Sequence, residues 1–111
     1  MAYAAKSKMI IIGGGGGGIN PRTLTLSKGD TAIWVNNSAG EISIFFPRGK
    51  EVEAVCAAPS RFAMDAEGKY GASIPQGGTA SLCFVEAGKY TYTAVREKTA
   101  GGSMDSYIVV K

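Results

Sequence analysis

The chain is 111 residues long, 45% of its residues are apolar, and its formal net charge is +3. This length fits one domain that can bury a core without disulfide cross-links, and the apolar content argues against intrinsic disorder. The small basic excess contains no long basic run, so the composition does not indicate a nucleic-acid-binding protein. The sequence has no histidine, which excludes histidine-based catalysis and histidine metal ligands.

The start of the chain predicts a flexible tail over residues 1–8, followed by one domain over residues 9–111. Ala2-Tyr-Ala4-Ala5 has the small-residue pattern of a signal-peptidase site, but no apolar region precedes it. A trimmed remnant of an exported precursor and an ordinary polar tail are both compatible with this segment. No stretch reaches the roughly 18 apolar residues that span a bilayer, so we predict no membrane span.

The first predicted strand covers residues 9–12 and runs into six consecutive glycines, Gly13 to Gly18. Glycines after a strand can form a phosphate-binding loop. Here no Lys-Ser/Thr pair and no helix-forming sequence follow them. The pattern therefore favours a flexible or bulged connector.

The next two strands are predicted from alternation. Leu24 and Leu26 alternate with threonines and should face one side, and Gly29-Asp30 should form the turn. Ala32 and Trp34 should then point into the core from the following strand, with Trp34 packed between two sheets.

The middle of the chain is less regular. Residues 41–47 read as a strand, but alternation is lost from residue 47 to 68, where short helical turns are predicted. Phe62 and Met64 should cover one sheet or form an exposed recognition patch. Two further strands are predicted over residues 70–74 and 79–85.

The last quarter of the chain predicts two strands joined by a loop from Arg96 to Met104. Tyr90 and Tyr92 repeat with a period of two after Gly88, and the closing strand covers residues 106–110. Tyr90 is a candidate for the tyrosine corner that ties such sandwiches together through its hydroxyl. Turn signals at these intervals favour an all-β sandwich.

The two cysteines, Cys56 and Cys83, do not have the spacing of a metal-binding or redox pair. One disulfide in an oxidising compartment and two separate thiols are both consistent with them.

Two stretches resemble the cupredoxins, the plastocyanin-like and pseudoazurin-like blue-copper proteins. Residues 21–36 follow the pattern Pro-x-x-Leu-x-Val-x-x-Gly-Asp-x-Val-x-Trp-x-Asn, with Leu26 and Ala32 at the two valine positions. Gly88-Lys-Tyr-Thr-Tyr92 and Gly101-Gly-Ser-Met104 are similar to the closing motif of the family. The resemblance implies an antiparallel Greek-key β-sandwich of about seven or eight strands.

The copper ligands of the resembled family are mostly replaced. Glu41 stands where the family has its first histidine, Ala94 where it has its cysteine, and Glu97 or Arg96 where it has its second histidine. Met104 keeps the type of the axial ligand. A type 1 copper site needs two imidazoles and a thiolate. Two carboxylates and a thioether are a mismatched set, and we expect Glu41 and Glu97 to be solvated charges.

These observations lead to two hypotheses of different class. The first is a copper-free cupredoxin-like module, periplasmic or extracellular, that has no cofactor and acts by binding a protein or as a structural domain. The alternative is a copper-binding or electron-transfer protein with a rebuilt site at Glu41, Glu97 and Met104. An enzyme is not expected, because no nucleophile and base pair, carboxylate dyad or cofactor motif is found.

Overall fold

The computed structural model of the protein describes residues 6–13, 18–38, 40–48, 62–96 and 103–111. These residues form ten β-strands, and no helix within them is long and apolar enough to cross a membrane. The strands are β1 (Ser7–Gly13), β2 (Ile19–Asn20), β3 (Thr23–Leu26), β4 (Asp30–Asn37), β5 (Ile42–Phe46), β6 (Ala63–Met64), β7 (Tyr70–Ile74), β8 (Thr79–Phe84), β9 (Gly88–Arg96) and β10 (Ser103–Val110).

The strands form two sheets that pack face to face. Sheet A has the order β2-β1-β4-β8, and sheet B has the order β3-β10-β9-β5-β7-β6. The predicted all-β sandwich is confirmed. The strand count is higher than predicted because β2 and β6 have only two residues each.

The sheets are mixed, whereas a purely antiparallel arrangement was predicted. β1 pairs with β4 in parallel, and β10 pairs with β3 in parallel. The reason lies in the segment between them: β2 runs antiparallel to β1, and the chain then leaves sheet A and joins sheet B as β3. β4 returns to sheet A in the direction of β1, so the two become parallel neighbours.

The core lies between the sheets and follows the predicted alternation. β3 buries Leu24 and Leu26, and β4 buries Ala32 and Trp34. Trp34 is fully buried, as predicted, and its ring contacts three other aromatic rings. These rings belong to Phe46, Phe62 and Tyr92. Such contacts add about 0.5–1.5 kcal/mol per pair beyond area burial, so this cluster is a major source of stability.

The structure changes two details of the sequence-based boundaries. β1 begins at Ser7, so two residues assigned to the tail belong to sheet A. The helical turn predicted over residues 60–68 is replaced, where the chain is described, by β6 and a turn. In that turn Asp65 Oδ1 accepts hydrogen bonds from the backbone N–H groups of Glu67 and Lys69. The earlier helical turn, with Val52 and Cys56, lies outside the described residues.

Phe62 takes part in the core and is not an exposed recognition residue. It is 8% exposed and stacks on Tyr70, with ring centroids 5.5 Å apart. Met64 is half-buried against the same core.

One end of the sandwich, which we call the anchor end, consists of Lys6, residues 27–30 and residues 83–86. Asp30 is 2% exposed, and its carboxylate accepts hydrogen bonds from the backbone N–H groups of Lys6 and Ser27. The predicted turn at Gly29 is confirmed, since Asp30 N donates to Ser27 O at 3.0 Å and Gly29 has φ of 92°. Gly29 N also donates to Phe84 O, which joins this turn to β8.

Two further ties close the anchor end. The Tyr90 hydroxyl donates to the carbonyl oxygen of Glu86 at 3.0 Å, which confirms the predicted tyrosine corner. Cys83 is disulfide-bonded, and Cys56 is the only other cysteine of the sequence. A disulfide bond therefore constrains β8 near its C-terminal end.

Candidate functional site

The opposite end of the sandwich carries the residues singled out by sequence. We call it the loop end and define it by Gly13, Gly18, residues 36–41 except 39, residues 74–78, Ala94 and Met104. β4 ends here and β5 begins, and Ile42 of β5 pairs with Ile74 at the end of β7. β9 ends and β10 begins next to these residues, and residues 97–102 lie outside the described part of the chain.

Asn36 holds the loop end together. Its side chain is fully buried, and its amide nitrogen donates to the carbonyl oxygens of Gly40 and Ile74, each at 2.8 Å. Its amide oxygen accepts hydrogen bonds from the backbone N–H of Ser38 and from the Ser38 hydroxyl. Because Asn36 lies in sheet A and Ile74 in sheet B, one amide links the two sheets and the loop between β4 and β5.

The backbone of Asn36 adds a second link to the same end. Asn36 N donates to Gly78 O at 3.0 Å, and Gly77 N donates to Asn36 O at 2.8 Å. The turn between β7 and β8 is thus fastened to β4. Gly77 has φ of 78°, in the left-handed region that glycine adopts without strain.

Gly13 shows how closely the glycine-rich connector approaches this network. A Cβ added to Gly13 would lie 2.8 Å from the Cα and N of Ser38, and Gly13 has φ of 89°. Gly13 N also donates to Gly18 O, which closes the ends of the connector. At this position glycine is required both by the backbone conformation and by the contact with Ser38.

Met104 and Ala94 lie side by side on the inner face of sheet B. The strand register pairs Ala94 with Ile44 on one side and with Met104 on the other. Ala94 is fully buried and Met104 is half-buried. Met104 was predicted to end a loop, but it is the second residue of β10, which begins at Ser103.

Glu41 lies just before β5 and is exposed. Ile42, Ile44 and Phe46 face the core. If this alternation is continued back beyond the start of β5, the inward-facing position falls on Gly40 and not on Glu41. Glu41 thus lies outside the register of sheet B, in which Met104 is paired with Ala94, and a shared site of the two residues stays a prediction.

Glu97, the third candidate ligand, lies outside the described residues, as do Lys98 and the loop it belongs to. Cys83 is on β8 of the other sheet and is disulfide-bonded. Among the described residues no group of three or more Cys, Asp, Glu or His side chains is placed to hold a metal ion.

Sequence reasoning missed Asn36 and Ser38, the polar residues that organise the loop end. A signal was available for Asn36: it follows Ala32 and Trp34 at the same alternate spacing, so it occupies a core-facing position of β4. A buried amide needs partners for its donors and its acceptor, which predicts an organising hydrogen-bond network. Ser38 carries no comparable signal.

Solved structures of amicyanin resemble this architecture over most of the chain. A reduced amicyanin variant aligns over 98% of this chain and 86% of its own, at 22% identity and a TM-score of 0.66. A reduced Cu(I) form of a second variant at pH 4 covers 100% of this chain and 86% of its own, at 22% identity and a TM-score of 0.62. A third variant with Cu(I) covers 95% and 82%, at 21% identity and a TM-score of 0.61. No family model and no curated protein matches the chain.

The residues of this chain do not fit the copper that those structures contain. A type 1 site needs a thiolate and two imidazoles around the metal. This chain has no histidine, a buried alanine at the cysteine position and an exposed glutamate before β5. Cys83 is on the other sheet and is disulfide-bonded, so it supplies no free thiolate. Together, the two mixed sheets, the tyrosine corner and these structural neighbours show that the chain has the cupredoxin fold, with the type 1 copper ligands missing.

Proposed function

We propose that this protein is an exported, copper-free module of cupredoxin fold that binds another protein through its loop end. The observation that carries the proposal is the contrast within that end. Its backbone is fixed by the Asn36 hydrogen bonds, while Ala94 and Glu41 replace the ligands that blue-copper electron transfer requires. A rigid surface without its metal chemistry is suited to recognition.

The composition of the exposed side chains at the loop end supports the proposal that the partner is a protein. Glu41 is the one charged side chain described there, and the other exposed residues are uncharged: Asn37, Gly40, Pro75, Gln76 and Gly77. Protein interfaces are depleted of charged residues at their centres, so this composition fits the middle of a contact surface. The ordered backbone also reduces the entropy lost on binding.

The disulfide supports export. Cys83 is disulfide-bonded, and disulfides persist in oxidising compartments such as the periplasm and the extracellular space. A periplasmic or extracellular location is therefore part of the proposal.

A photo-cross-linking experiment tests the location of the interface. A photo-reactive amino acid replaces Gln76 at the loop end or Lys28 at the anchor end, both of which are exposed, and each protein is irradiated in extract of its source cells. We expect one discrete cross-linked protein from position 76 and none from position 28.

Two matched charge reversals then separate the ends. Glu41→Arg should abolish the cross-link at position 76, and Glu86→Arg, an exposed glutamate of the anchor end, should leave it unchanged. Equal cross-linking from both positions, or equal effects of both reversals, would contradict binding through the loop end.

A copper titration tests the alternative of a rebuilt metal site. The purified protein is titrated with Cu(I) and Cu(II) and followed by calorimetry and visible absorption, in parallel with Met104→Ala. We expect no stoichiometric binding. Tight binding that Met104→Ala abolishes would overturn the copper-free proposal and identify a metal-handling protein.

A further inference from the structure

A groove lies on the outer face of sheet B, outside the hydrogen-bond network of Asn36. It measures about 360 Å³ and is lined by outward-facing residues of β5 and β7 and by the turn between β6 and β7. Proteins bind small molecules in clefts of roughly 300–1,000 Å³. The groove therefore has the size of a small-molecule site.

Gly71 opens the floor of the groove beside Phe45. The two residues are partners across β5 and β7, so a side chain at position 71 would lie against the aromatic residue. A Cβ added to Gly71 would lie 2.7 Å from the carbonyl oxygen of Ile44 and 3.0 Å from the Cβ of Phe45. Glycine is therefore required at this position, and the space beside Phe45 stays open.

The Phe45 ring lies between a cation and two hydroxyl groups. Lys69 Nζ lies 5.0 Å from the ring centroid. The side-chain oxygens of Ser43 and Ser73, which are partners across β5 and β7, lie 3.4 Å apart. Lys69 precedes Gly71 by two residues and Ser73 follows it by two. Phe45, the partner of Gly71, therefore forms a half-buried apolar platform between the ammonium group and the serine pair.

The turn at the rim of the groove is fixed by its own hydrogen bonds. Asp65 Oδ1 accepts from Glu67 N at 2.8 Å and from Lys69 N at 2.9 Å, and Asp65 N donates to Lys69 O at 2.8 Å. Because these bonds hold the turn before a ligand arrives, little entropy is lost when the turn makes contacts. The Lys69 ammonium also pairs with Glu67 at 3.5 Å, but both side chains are exposed, so a ligand can open this pair at small cost.

The chemistry of the lining favours an uncharged ligand with several hydroxyl groups. The carboxylates of Asp65 and Glu67 disfavour an anion, and the Lys69 ammonium already occupies the position of a cation at the aromatic ring. Carboxylates accept hydrogen bonds, an ammonium group donates them, and serine hydroxyls do both. Sugar hydroxyls use donors and acceptors together, and the C–H groups of a sugar ring pack against the negative face of an aromatic ring. A neutral saccharide meets all of these conditions.

We propose that this groove binds a neutral saccharide whose ring packs on Phe45 over Gly71. Asp65 and Glu67 accept hydrogen bonds from the sugar hydroxyls, and Lys69 donates to them. The site is independent of the protein partner proposed above, because that partner binds at the loop end.

Calorimetry and NMR on the isotope-labelled full chain test the site. The ligands are neutral oligosaccharides of glucose, N-acetylglucosamine and mannose, and an oligogalacturonate of equal length is the anionic control. We expect at least one neutral oligosaccharide to bind, with amide shifts at Gly71 and Ser73 and none at Gly77 of the loop end. Absence of binding to all three, shifts confined to residues outside the groove, or tighter binding of the oligogalacturonate would overturn the proposal.

The aromatic platform has a matched control on the same face of sheet B. Tyr107 is also half-buried there and also has a lysine over its ring, with Lys89 Nζ 4.4 Å from the centroid, but it does not line the groove. Phe45→Ala should weaken saccharide binding roughly tenfold, and Tyr107→Ala should leave the Kd unchanged. Equal effects of the two variants would contradict the site. If Phe45→Ala does not fold, Phe45→Leu, which keeps an apolar side chain and removes the ring, takes its place.

Asp65→Asn separates saccharide binding from the structure of the turn. The asparagine oxygen can keep the hydrogen bonds from Glu67 N and Lys69 N, while the carboxylate is lost, so the Kd should rise about fivefold. Asp105→Asn is the control, because Asp105 Oδ1 accepts from the Thr93 hydroxyl at 2.8 Å on the same face but outside the groove. Its Kd should equal that of the wild type. An unchanged Kd in a folded Asp65→Asn protein would contradict the contact between this carboxylate and the sugar.

Discussion

The two ends of the sandwich are closed in different ways, although one strand supplies a buried polar residue to each. β4 begins with Asp30 at the anchor end and contributes Asn36 to the loop end, and both side chains are almost completely buried. Asp30 only accepts hydrogen bonds, and it acts together with a disulfide and a tyrosine corner. Asn36 both donates and accepts, and so bridges two sheets and a loop.

This difference separates the hydrogen bonds that fix the conformation of the loop end from the side chains there that can be replaced. The carbonyl groups that Asn36 satisfies belong to the backbone, so these hydrogen bonds do not depend on the side chains of Glu41 and Ala94. Ligand positions can therefore become Glu41 or Ala94 while the end keeps its shape.

The largest expected effect is the loss of the covalent tie at the anchor end. In the chain-entropy model a disulfide that closes a loop of roughly 30 residues contributes about 3.5 kcal/mol. Reduction of the wild type should therefore lower the free energy of unfolding by about that amount in urea titrations, and Cys83→Ser should lower it similarly. Equal stability of the reduced and oxidised wild type would show that the disulfide does not stabilise the anchor end.

Asn36→Ala tests the loop end and should cost about 3 kcal/mol of unfolding free energy. It leaves the carbonyl group of Ile74 and the N–H of Ser38 buried without their partner, whereas Gly40 O keeps the Ser38 hydroxyl as a donor. Chemical denaturation measures the loss, and Asn37→Ala, an exposed neighbour in the same strand, is the control with little expected change. Equal stabilities of the two variants would show that the amide does not organise this end.

Asp30→Ala should cost about 2 kcal/mol, because the backbone N–H groups of Lys6 and Ser27 lose a charged acceptor. The loss should appear in urea unfolding, with Asp105→Ala, at an exposed position, as the control. Amide hydrogen exchange should show faster opening at Ser27 and not at Ser38. Faster exchange at both ends would mean that the two closures are not independent.

Tyr90→Phe should have the smallest effect, about 1 kcal/mol, since it removes one hydrogen bond to Glu86 O and keeps the ring packed on Phe84. Thermal unfolding measures this loss of stability. Tyr107→Phe, on the outer face of sheet B, is the control. A loss as large as that of Asp30→Ala would show that the corner contributes more than a single hydrogen bond.

The sequence alone determined most of the longer strands, their inward faces and the tyrosine corner, but not β2, β6 or the start of β10. Alternation has a period of two and is local, so Leu24, Leu26, Ala32 and Trp34 could be placed in the core before any pairing was known. The resemblance to the cupredoxins added the expected Greek-key topology and identified the type 1 copper ligands that this sequence lacks.

Only the tertiary structure decided the parallel pairings and the position of Met104 within β10. It also decided the partners of Asn36, the contact of Gly13 with Ser38, and the edge-on contact of Trp34 with Tyr92. Each of these depends on residues far apart in the chain. The local pattern says which side of a strand a residue faces, but only the packing of the two sheets decides what it meets there.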